Sequence, residues 1–256
     1  MDRTGPIGFF DSGVGGISVL RETRRLLPGE DYIYYGDTLH APYGERSAEE
    51  VEALSAAAAE YLLEQGCKAV VIACNTATSA AAEALRQRYP HVAVIGTEPA
   101  LKPAVEVCPG GRILVMATAM TLRERKFLRL WEQYRDAARV VPVPCSGLME
   151  FVERGELDGP EAEAFLRQML APYLTEPVDA VVLGCTHYPF LRPVIRRVVG
   201  EGVLFFDSAE GVSRQLRRRL EEADLLQNRA SGGTVRFGNS ENSRKTLNLC
   251  EKLLSF

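Results

Sequence analysis

Short runs of apolar, β-branched and aromatic residues alternate along the chain with longer stretches in which apolar positions recur every three to four residues. The short runs predict buried strands, and the longer stretches predict amphipathic helices. We expect strands near residues 6–10, 31–35, 69–73, 92–95, 112–116, 139–143, 179–183 and 203–206. Strands that alternate with helices are typical of an α/β fold with mostly parallel sheets.

Some of the predicted helices carry start signals. Ser47 followed by Glu50 forms a capping box, in which each residue satisfies a backbone N–H of the other. Thr121 followed by Glu124 repeats this spacing ahead of an amphipathic run. Pro160 suits the first turn of a helix, where its missing N–H costs nothing. We therefore expect helices to begin at these three places.

An internal repeat divides the chain into two similar halves. Residues 69–77, AVVIACNTA, resemble residues 180–188, AVVLGCTHY, because each has a buried strand, a small residue, a cysteine and then polar side chains. The repeat predicts two similar, pseudo-symmetric α/β domains. We expect residues 1–96 with 207–256 to form the first domain and residues 97–206 to form the second. Open α/β sheets bind ligands at the carboxyl ends of their strands, so we expect the active site in a cleft between the domains.

Composition narrows the class of protein. The net charge is −4, with 30 Lys and Arg against 34 Asp and Glu, which argues against a nucleic-acid-binding surface. The longest apolar runs are much shorter than the ~20 residues that a membrane span needs. The first twenty residues also lack the pattern of an export signal. We expect a cytoplasmic protein with no nucleic-acid partner and no membrane partner.

A glycine-rich turn, DSGVGG at residues 11–16, follows the first predicted strand and opens a helix. Ser18 occupies the position of the last glycine in a dinucleotide fingerprint, and the turn has no P-loop lysine. The backbone N–H groups of such a turn suit a carboxylate ligand. Asp11 at its start is either a helix cap or a charged partner for a reacting group.

Six cysteines are too sparse for a disulfide framework, and none of them has CxxC spacing, so we expect no metal site. Cys74 ends a strand just before a helix, where the positive end of the helix dipole lowers the pKa of a thiol. Cys185 repeats that position, with His187 two residues later. Either cysteine alone is typical of a buried structural thiol. As a matched pair, the two favour a reactive role.

Seven segments in this order along the chain resemble the cofactor-independent glutamate racemases of bacteria. The segments are GFFDSGVGG (8–16), YYGDTLHAPYG (34–44), CNTATSA (74–80), GTEPA (96–100), ATAMT (117–121), LGCTHYP (183–189) and FDSAEG (206–211). The resemblance implies that Cys74 and Cys185 are catalytic thiols, that Asp11 assists the first and His187 the second, and that Glu153 lies near the second thiol.

The resemblance also implies the substrate contacts and the partners. The expected substrate-binding residues are Asp11, Ser12, Pro42, Tyr43, Gly44, Asn75, Thr76, Thr118, Thr121, Thr186 and His187. Such an enzyme needs no cofactor and no metal, forms a homodimer, and supplies D-glutamate for peptidoglycan synthesis.

Three other functions remain open at this level. The chain could be an aspartate racemase, since the residues alone do not determine the length of the substrate side chain. A related decarboxylase acting through one cysteine is disfavoured because both strand-end cysteines are present. A two-lobed carboxylate-binding protein would contain the same turns with inert thiols.

Overall fold

The computed structural model describes residues 2–256, which fold into two compact units. The first unit contains the chain up to Thr97 together with Ala209–Phe256, and the second contains Glu98–Ser208. Each unit is an α/β structure built on one parallel sheet.

Nine strands lie within the described residues: β1 (Ile7–Asp11), β2 (Tyr32–Gly36), β3 (Ala69–Ile72), β4 (Ala93–Gly96), β5 (Arg112–Ala117), β6 (Arg139–Pro144), β7 (Ala180–Leu183), β8 (Leu204–Asp207) and β9 (Val235–Asn239). The α-helices in the same residues are α1 (Ile17–Leu26), α2 (Ala48–Glu64), α3 (Asn75–Arg88), α4 (Leu101–Val107), α5 (Ala119–Arg123), α6 (Arg125–Tyr134), α7 (Met149–Glu153), α8 (Pro160–Leu170), α9 (Arg192–Val199), α10 (Ala209–Glu222) and α11 (Arg244–Leu254).

The two sheets have the same strand order. The first sheet runs β4-β3-β1-β2-β9, and the second runs β6-β5-β7-β8. If the strands of each unit are counted in chain order, the first strand lies between the second and the third, and the fourth lies next to the third at the edge. The strand β9 is an addition to the first unit, where it pairs with β2. The sequence repeat thus corresponds to a repeat of topology.

The central strands form the cores of both units. Every residue of β1, β3, β5 and β7 is buried, which is the pattern of a parallel sheet covered by helices on both faces. In the second unit, Ile113 and Val115 of β5 and Val182 of β7 join one apolar cluster with residues of α4 and with Phe127 of α6. Rigid central strands therefore position the loops at their carboxyl ends.

The predicted α/β fold with mostly parallel sheets is confirmed, and strands lie near all eight predicted places. The strand β9 was not predicted. Its sequence, VRFGN, contains a charged residue and a glycine, and its residues are mostly half-buried. An edge strand of this kind lacks the apolar run by which buried strands are recognised.

The structure confirms two of the three helix starts. Ser47 and Glu50 form the expected capping box at α2, and Pro160 begins α8. The box predicted for Thr121 and Glu124 is wrong. Thr121 lies inside the short helix α5, whose cap is Thr118, and the backbone becomes extended at Glu124 before α6 begins.

Within residues 2–256, we find no helix whose length and apolar character would let it cross a membrane.

Candidate active site

The candidate residues of each unit lie at a topological switch point of its sheet. In the first unit the chain passes from β1 to β2 on one side and later to β3 on the other side. The second unit repeats this with β5, β6 and β7. The carboxyl ends of the two central strands border a crevice at such a point, and open α/β sheets bind ligands there. Cys74 follows β3 and Cys185 follows β7.

Two glycines let the backbone approach closely at these points. A Cβ on Gly16 would lie 2.8 Å from the Cβ of Ala73 and 2.9 Å from the Cβ of Asp11. A Cβ on Gly184 would lie 2.9 Å from the carbonyl oxygen of Met116. Real Cβ atoms do not tolerate such distances. Glycine at both positions keeps the ends of adjacent central strands close together.

In the first unit, the candidate residues after β1 and β3, with the loop at residues 42–44, form what we call the first half-site. Asp11 is completely buried, and its Oδ1 accepts a hydrogen bond of 2.8 Å from the backbone N–H of Gly13. The hydroxyl of Tyr34 donates to the carbonyl oxygen of Gly13 at 2.8 Å. The carboxylate therefore helps to shape the glycine-rich turn.

Cys74 is the N-cap residue of α3, and its Sγ accepts a hydrogen bond of 3.4 Å from the backbone N–H of Ala77. The thiol is 6% exposed, and its Sγ lies 3.9 Å from the Oγ of Ser12. The first turn of a helix presents partial positive charge to such a group. The structure thus places this thiol where a thiolate is favoured.

Asn75 and Thr76 form the first turn of α3 and are both buried. Neither the Nδ2 nor the Oδ1 of Asn75 has a hydrogen-bond partner within the described residues. A buried polar group without a partner costs free energy, about 1–3 kcal/mol, so such a group indicates a ligand contact more than a structural role.

The loop at residues 42–44 follows β2, and it is held by Asp37, which the sequence analysis did not select. The hydroxyl of Tyr43 donates to the Oδ2 of Asp37 at 2.7 Å, and the Nδ1 of His40 lies 2.8 Å from the Oδ1. Burial, followed by the hydrogen bond to Asp37, raises the pKa of Tyr43 far above its usual value. The charges of Asp37, Cys74 and Asp11 raise it further.

Pro42 and Gly44 flank Tyr43 in this loop, and both are half-buried. A signal for Asp37 was present in the sequence, since this aspartate directly follows a strand.

In the second unit, the candidate residues after β5 and β7, with Glu153 at the end of α7, form the second half-site. The Sγ of Cys185 lies 3.6 Å from the Nδ1 of His187, and the Nε2 of His187 lies 2.7 Å from the Oε1 of Glu153. Cys185 is 8% exposed and His187 is 2% exposed. The thiol, the imidazole and the carboxylate therefore form one chain of contacts, buried at Cys185 and His187 and half-buried at Glu153.

The charge of His187 results from opposing effects. Complete burial disfavours the imidazolium, but hydrogen bonds to Cys185 and Glu153, together with their charges, outweigh burial and raise the pKa of His187 well above its usual value. The imidazolium is the form that we expect near neutral pH. The structure thus places a cation 3.6 Å from the Sγ of Cys185.

Three threonines complete the second half-site. The Oγ1 of Thr118 donates to the Oγ1 of Thr121 at 2.9 Å, and Thr118 follows β5 as Ser12 follows β1. Thr186 is buried directly after Cys185.

The helix that follows Cys74 has no equivalent next to Cys185, so the expectation that Cys185 repeats this arrangement is wrong in its local structure. Cys185 is followed by a 3₁₀ turn at Tyr188–Leu191, and α9 begins only at Arg192. Pro189 inside the turn and Pro193 at the start of α9 lack the N–H that an earlier helix would need. His187 provides the positive charge in place of the helix.

The surroundings of Tyr188 could not be predicted from the sequence. Its hydroxyl donates to the carbonyl oxygen of Cys145 at 3.1 Å, and both residues are buried. Cys145 directly follows β6, and burial raises the pKa of its thiol far above the usual value, with a smaller contribution from the charge of Cys185.

Within residues 2–256, none of the six cysteines is in a disulfide bond. In the described part of the chain, no three His, Cys, Asp or Glu side chains are grouped so that they could hold a metal ion.

The chain is similar in sequence to known proteins of one family. The Asp/Glu/Hydantoin racemase family matches residues 15–215. A glutamate racemase from Clostridium perfringens is 48% identical over 252 residues, which cover 98% of this chain and 97% of the relative. Another, from Clostridium botulinum, is 47% identical over 249 residues, which cover 97% of this chain and 96% of the relative.

Solved structures of glutamate racemases are also similar to this chain. The glutamate racemase of Francisella tularensis in complex with D-glutamate has a TM-score of 0.84 at 28% identity, covering 99% of this chain and 95% of its own. A glutamate racemase isoform from Bacillus anthracis has a TM-score of 0.87 at 33% identity, with the same coverage of 99% and 95%. From its strand order, its two strand-end thiols and these similarities together, the chain belongs to the Asp/Glu/hydantoin racemase family, in the group formed by the glutamate racemases.

Proposed function

We infer that this chain is a glutamate racemase that interconverts L- and D-glutamate with two cysteines and without a cofactor. The observation that carries the inference is the buried thiol at the carboxyl end of the third strand in each of two sheets of the same topology. Relatives that are 48% identical over almost the whole chain support glutamate as the substrate.

The reaction requires two acid–base groups. Racemisation removes a weakly acidic proton from one face of the α-carbon and delivers another proton to the opposite face. We propose that Cys74 and Cys185 act on these two faces, one as thiolate and the other as thiol. Reversing the direction exchanges their roles. Each positioned acid or base contributes about 10²–10⁴ in rate.

The two thiols are assisted in different ways. In the first half-site, the N-terminus of α3 and the N–H of Ala77 favour the thiolate of Cys74, and Asp11 takes part in handling its proton. In the second half-site, the imidazolium of His187 favours the thiolate of Cys185, and Glu153 holds that imidazolium. Neither Asp11 nor His187 needs to attack the substrate.

We propose that the remaining candidates bind the substrate. Negative charge develops on the α-carboxylate as the α-proton leaves, and fixed N–H and hydroxyl donors stabilise it. The buried amide of Asn75 and the first turn of α3 offer such donors, and Ser12, Thr76 and the loop at residues 42–44 lie in the same unit. The threonines Thr118, Thr121 and Thr186 offer hydroxyls in the second unit.

The location, the oligomeric state and the cellular role that we propose are those implied by the resemblance to the family. We propose that the enzyme is a cytoplasmic homodimer and that it supplies D-glutamate for peptidoglycan synthesis. Among residues 2–256, exposed apolar side chains such as Leu128 and Trp131 on α6 are available for an interface.

Circular dichroism tests the proposed function. The protein is incubated with L-glutamate, and in parallel with L-aspartate, in D₂O without pyridoxal phosphate. We expect the signal to decline for glutamate only, and mass spectrometry to find deuterium first in the D-glutamate product. Decline with aspartate only would identify an aspartate racemase. Tight binding without α-proton exchange would identify a binding protein, and early label in both enantiomers would contradict the two-base mechanism.

A further inference from the structure

Tyr188 lies three residues after Cys185, and the mechanism proposed above does not use it. The side chain is 1% exposed, and its hydroxyl donates to the carbonyl oxygen of Cys145 at 3.1 Å. Its backbone N–H donates to the carbonyl oxygen of Cys185, also at 3.1 Å. The turn that carries the proposed catalytic thiol thus holds the backbone of Tyr188, and the segment after β6 holds its hydroxyl.

The phenol also interacts with the side chain of Cys185 itself. Burial makes the largest contribution to a pKa of Tyr188 well above the usual value. The charges of Cys185, Cys145 and Glu150, and a side-chain hydrogen bond with Cys185, raise it further. The phenol therefore keeps its proton throughout the pH range in which enzymes of this kind work. It is a neutral donor beside a group that changes its charge.

One hydroxyl proton is available to two acceptors. We propose that Tyr188 is a positioning residue for Cys185: its hydroxyl donates to the carbonyl oxygen of Cys145 while Cys185 is a thiol, and turns to donate to the Sγ when Cys185 is a thiolate. This proposal rests on the proposed function of Cys185. A hydrogen bond to a charged acceptor is stronger than one to a neutral acceptor, so the thiolate gains more from the phenol than the thiol does.

Several titratable groups face this pair. His187 and Glu153 act on Cys185 from the turn and from α7, while Cys145 follows β6. Glu150 of α7 acts on the phenol, and its Oε2 is buried without a hydrogen-bond partner in the described part of the chain. Because the pKa of its thiol is far above the usual value, Cys145 stays uncharged, and negative charge on Glu150 is what opposes a thiolate at Cys185. A neutral donor at position 188 offsets part of that repulsion.

Replacing Tyr188 by phenylalanine removes only the hydroxyl and tests the proposal in the full-length protein. The readout is the pH at which half of Cys185 reacts with iodoacetamide in a fixed time, measured by mass spectrometry of the peptide that contains it. We expect this pH to rise by about one unit, because one charge-assisted hydrogen bond is lost. The kcat should fall about tenfold, and the KM should stay within about twofold.

Tyr32→Phe is the matched control. Tyr32 is 1% exposed, and its hydroxyl also donates to a backbone carbonyl, that of Leu27, at 2.6 Å. It lies in the first unit, whereas Cys185 lies in the second. We expect Tyr32→Phe to leave the alkylation of Cys185 unchanged. An unchanged alkylation pH in Tyr188→Phe would overturn the proposal, even if that variant melts at a lower temperature.

A second variant tests the opposite direction. 3-Fluorotyrosine introduced at position 188 keeps the hydroxyl and makes it a stronger donor. Half-alkylation of Cys185 should then occur at a lower pH than in the wild type, and a shift to higher pH would contradict the proposal. These readouts do not depend on turnover. A wild-type protein without racemase activity would overturn the proposed function and leave the hydrogen bond measurable.

Discussion

Glu153 and His187 are joined by a hydrogen bond of 2.7 Å between Oε1 and Nε2, and the other nitrogen of the same imidazole faces the thiol of Cys185 at 3.6 Å. The carboxylate thus orients the ring and helps to keep it charged. Since the imidazole is 2% exposed, water does little to weaken this interaction.

Glu153→Gln is expected to lower the pKa of His187. The amide keeps a polar partner but removes the negative charge that favours the imidazolium. The charged ring exists below its pKa, so it is lost at a lower pH in the variant. We expect the basic limb of the pH dependence of kcat to move to lower pH by about one unit or more. NMR titration of the His187 ring measures the same shift directly.

The free energy of unfolding should also depend on pH through His187. The folded-state pKa of His187 is raised, so the stability that the ion pair contributes is fully present below the unfolded pKa of about 6.5 and is lost as the pH rises through the folded value. The free energy of unfolding of Glu153→Gln should therefore approach that of the wild type at high pH. Glu156→Gln, at an exposed carboxylate nearby, is the control. An unshifted His187 titration in Glu153→Gln would refute the role given to Glu153.

Removing either of the two proposed catalytic thiols should have the same effect on activity. Cys74→Ala and Cys185→Ala should each reduce kcat by about 10³ or more, because each removes a proton donor or acceptor that no neighbour replaces. Far-ultraviolet circular dichroism should be unchanged. Cys67→Ala is the matched control, since Cys67 is a buried thiol at the opposite end of β3 from Cys74. We expect its kcat to stay within about twofold of the wild type, and wild-type activity in either of the other variants would refute the assignment.

Replacing Asn75 is expected to stabilise the fold and to weaken substrate binding. Its buried amide has no partner in residues 2–256, so Asn75→Leu, which is similar in volume, should raise the free energy of unfolding by about 1 kcal/mol. The KM for glutamate should rise at least tenfold in the same variant. Urea unfolding and initial rates measure the two quantities.

Thr78→Val provides the contrast on the same helix. The hydroxyl of Thr78 donates to the carbonyl oxygen of Ile72 at 3.2 Å and accepts from the N–H of Thr97 at 2.9 Å. Its loss should lower the free energy of unfolding by about 1–3 kcal/mol, since both partners are buried. If Asn75→Leu destabilised the protein as strongly, the amide would have a structural role instead.

Lys68 and Glu30 form an ion pair far from the proposed chemistry. The Nζ lies 2.6 Å from the Oε2, and both side chains are almost completely buried. Burial is the largest influence on the pKa of Lys68 and lowers it, although the hydrogen bond and the charge of Glu30 oppose that shift. Lys68→Met leaves the carboxylate buried without its cation. We expect a loss of about 3–5 kcal/mol in the free energy of unfolding.

The double variant Lys68→Met/Glu30→Leu should recover part of that loss, because no unpaired charge then remains buried. Denaturant titration measures both variants, and racemase activity of the folded fraction should be retained. A double variant less stable than Lys68→Met alone would contradict this account of the pair.

Much of the fold could be predicted from the sequence because its signals are local. Buried parallel strands are short apolar runs, capping residues have fixed spacing, and the repeat of residues 69–77 at 180–188 predicted a pair of similar sheets. The edge strand β9 lacked such a signal, since half-buried strands need no apolar run. The start of α6 was misplaced because the spacing of Thr121 and Glu124 does not show that a separate short helix, capped by Thr118, already contains Thr121.

The sequence by itself determined the chemistry at the strand ends: which residues follow β1, β3, β5 and β7 depends only on chain order. Only the tertiary structure decided how each thiol is assisted. Cys74 caps α3, whereas Cys185 lies beside an imidazole that a carboxylate from α7, more than thirty residues earlier, keeps charged. Asp37 beneath Tyr43 and Tyr188 against Cys145 are contacts of the same kind. Burial and charge depend on what packs around a group, and that is set by distant segments of the chain.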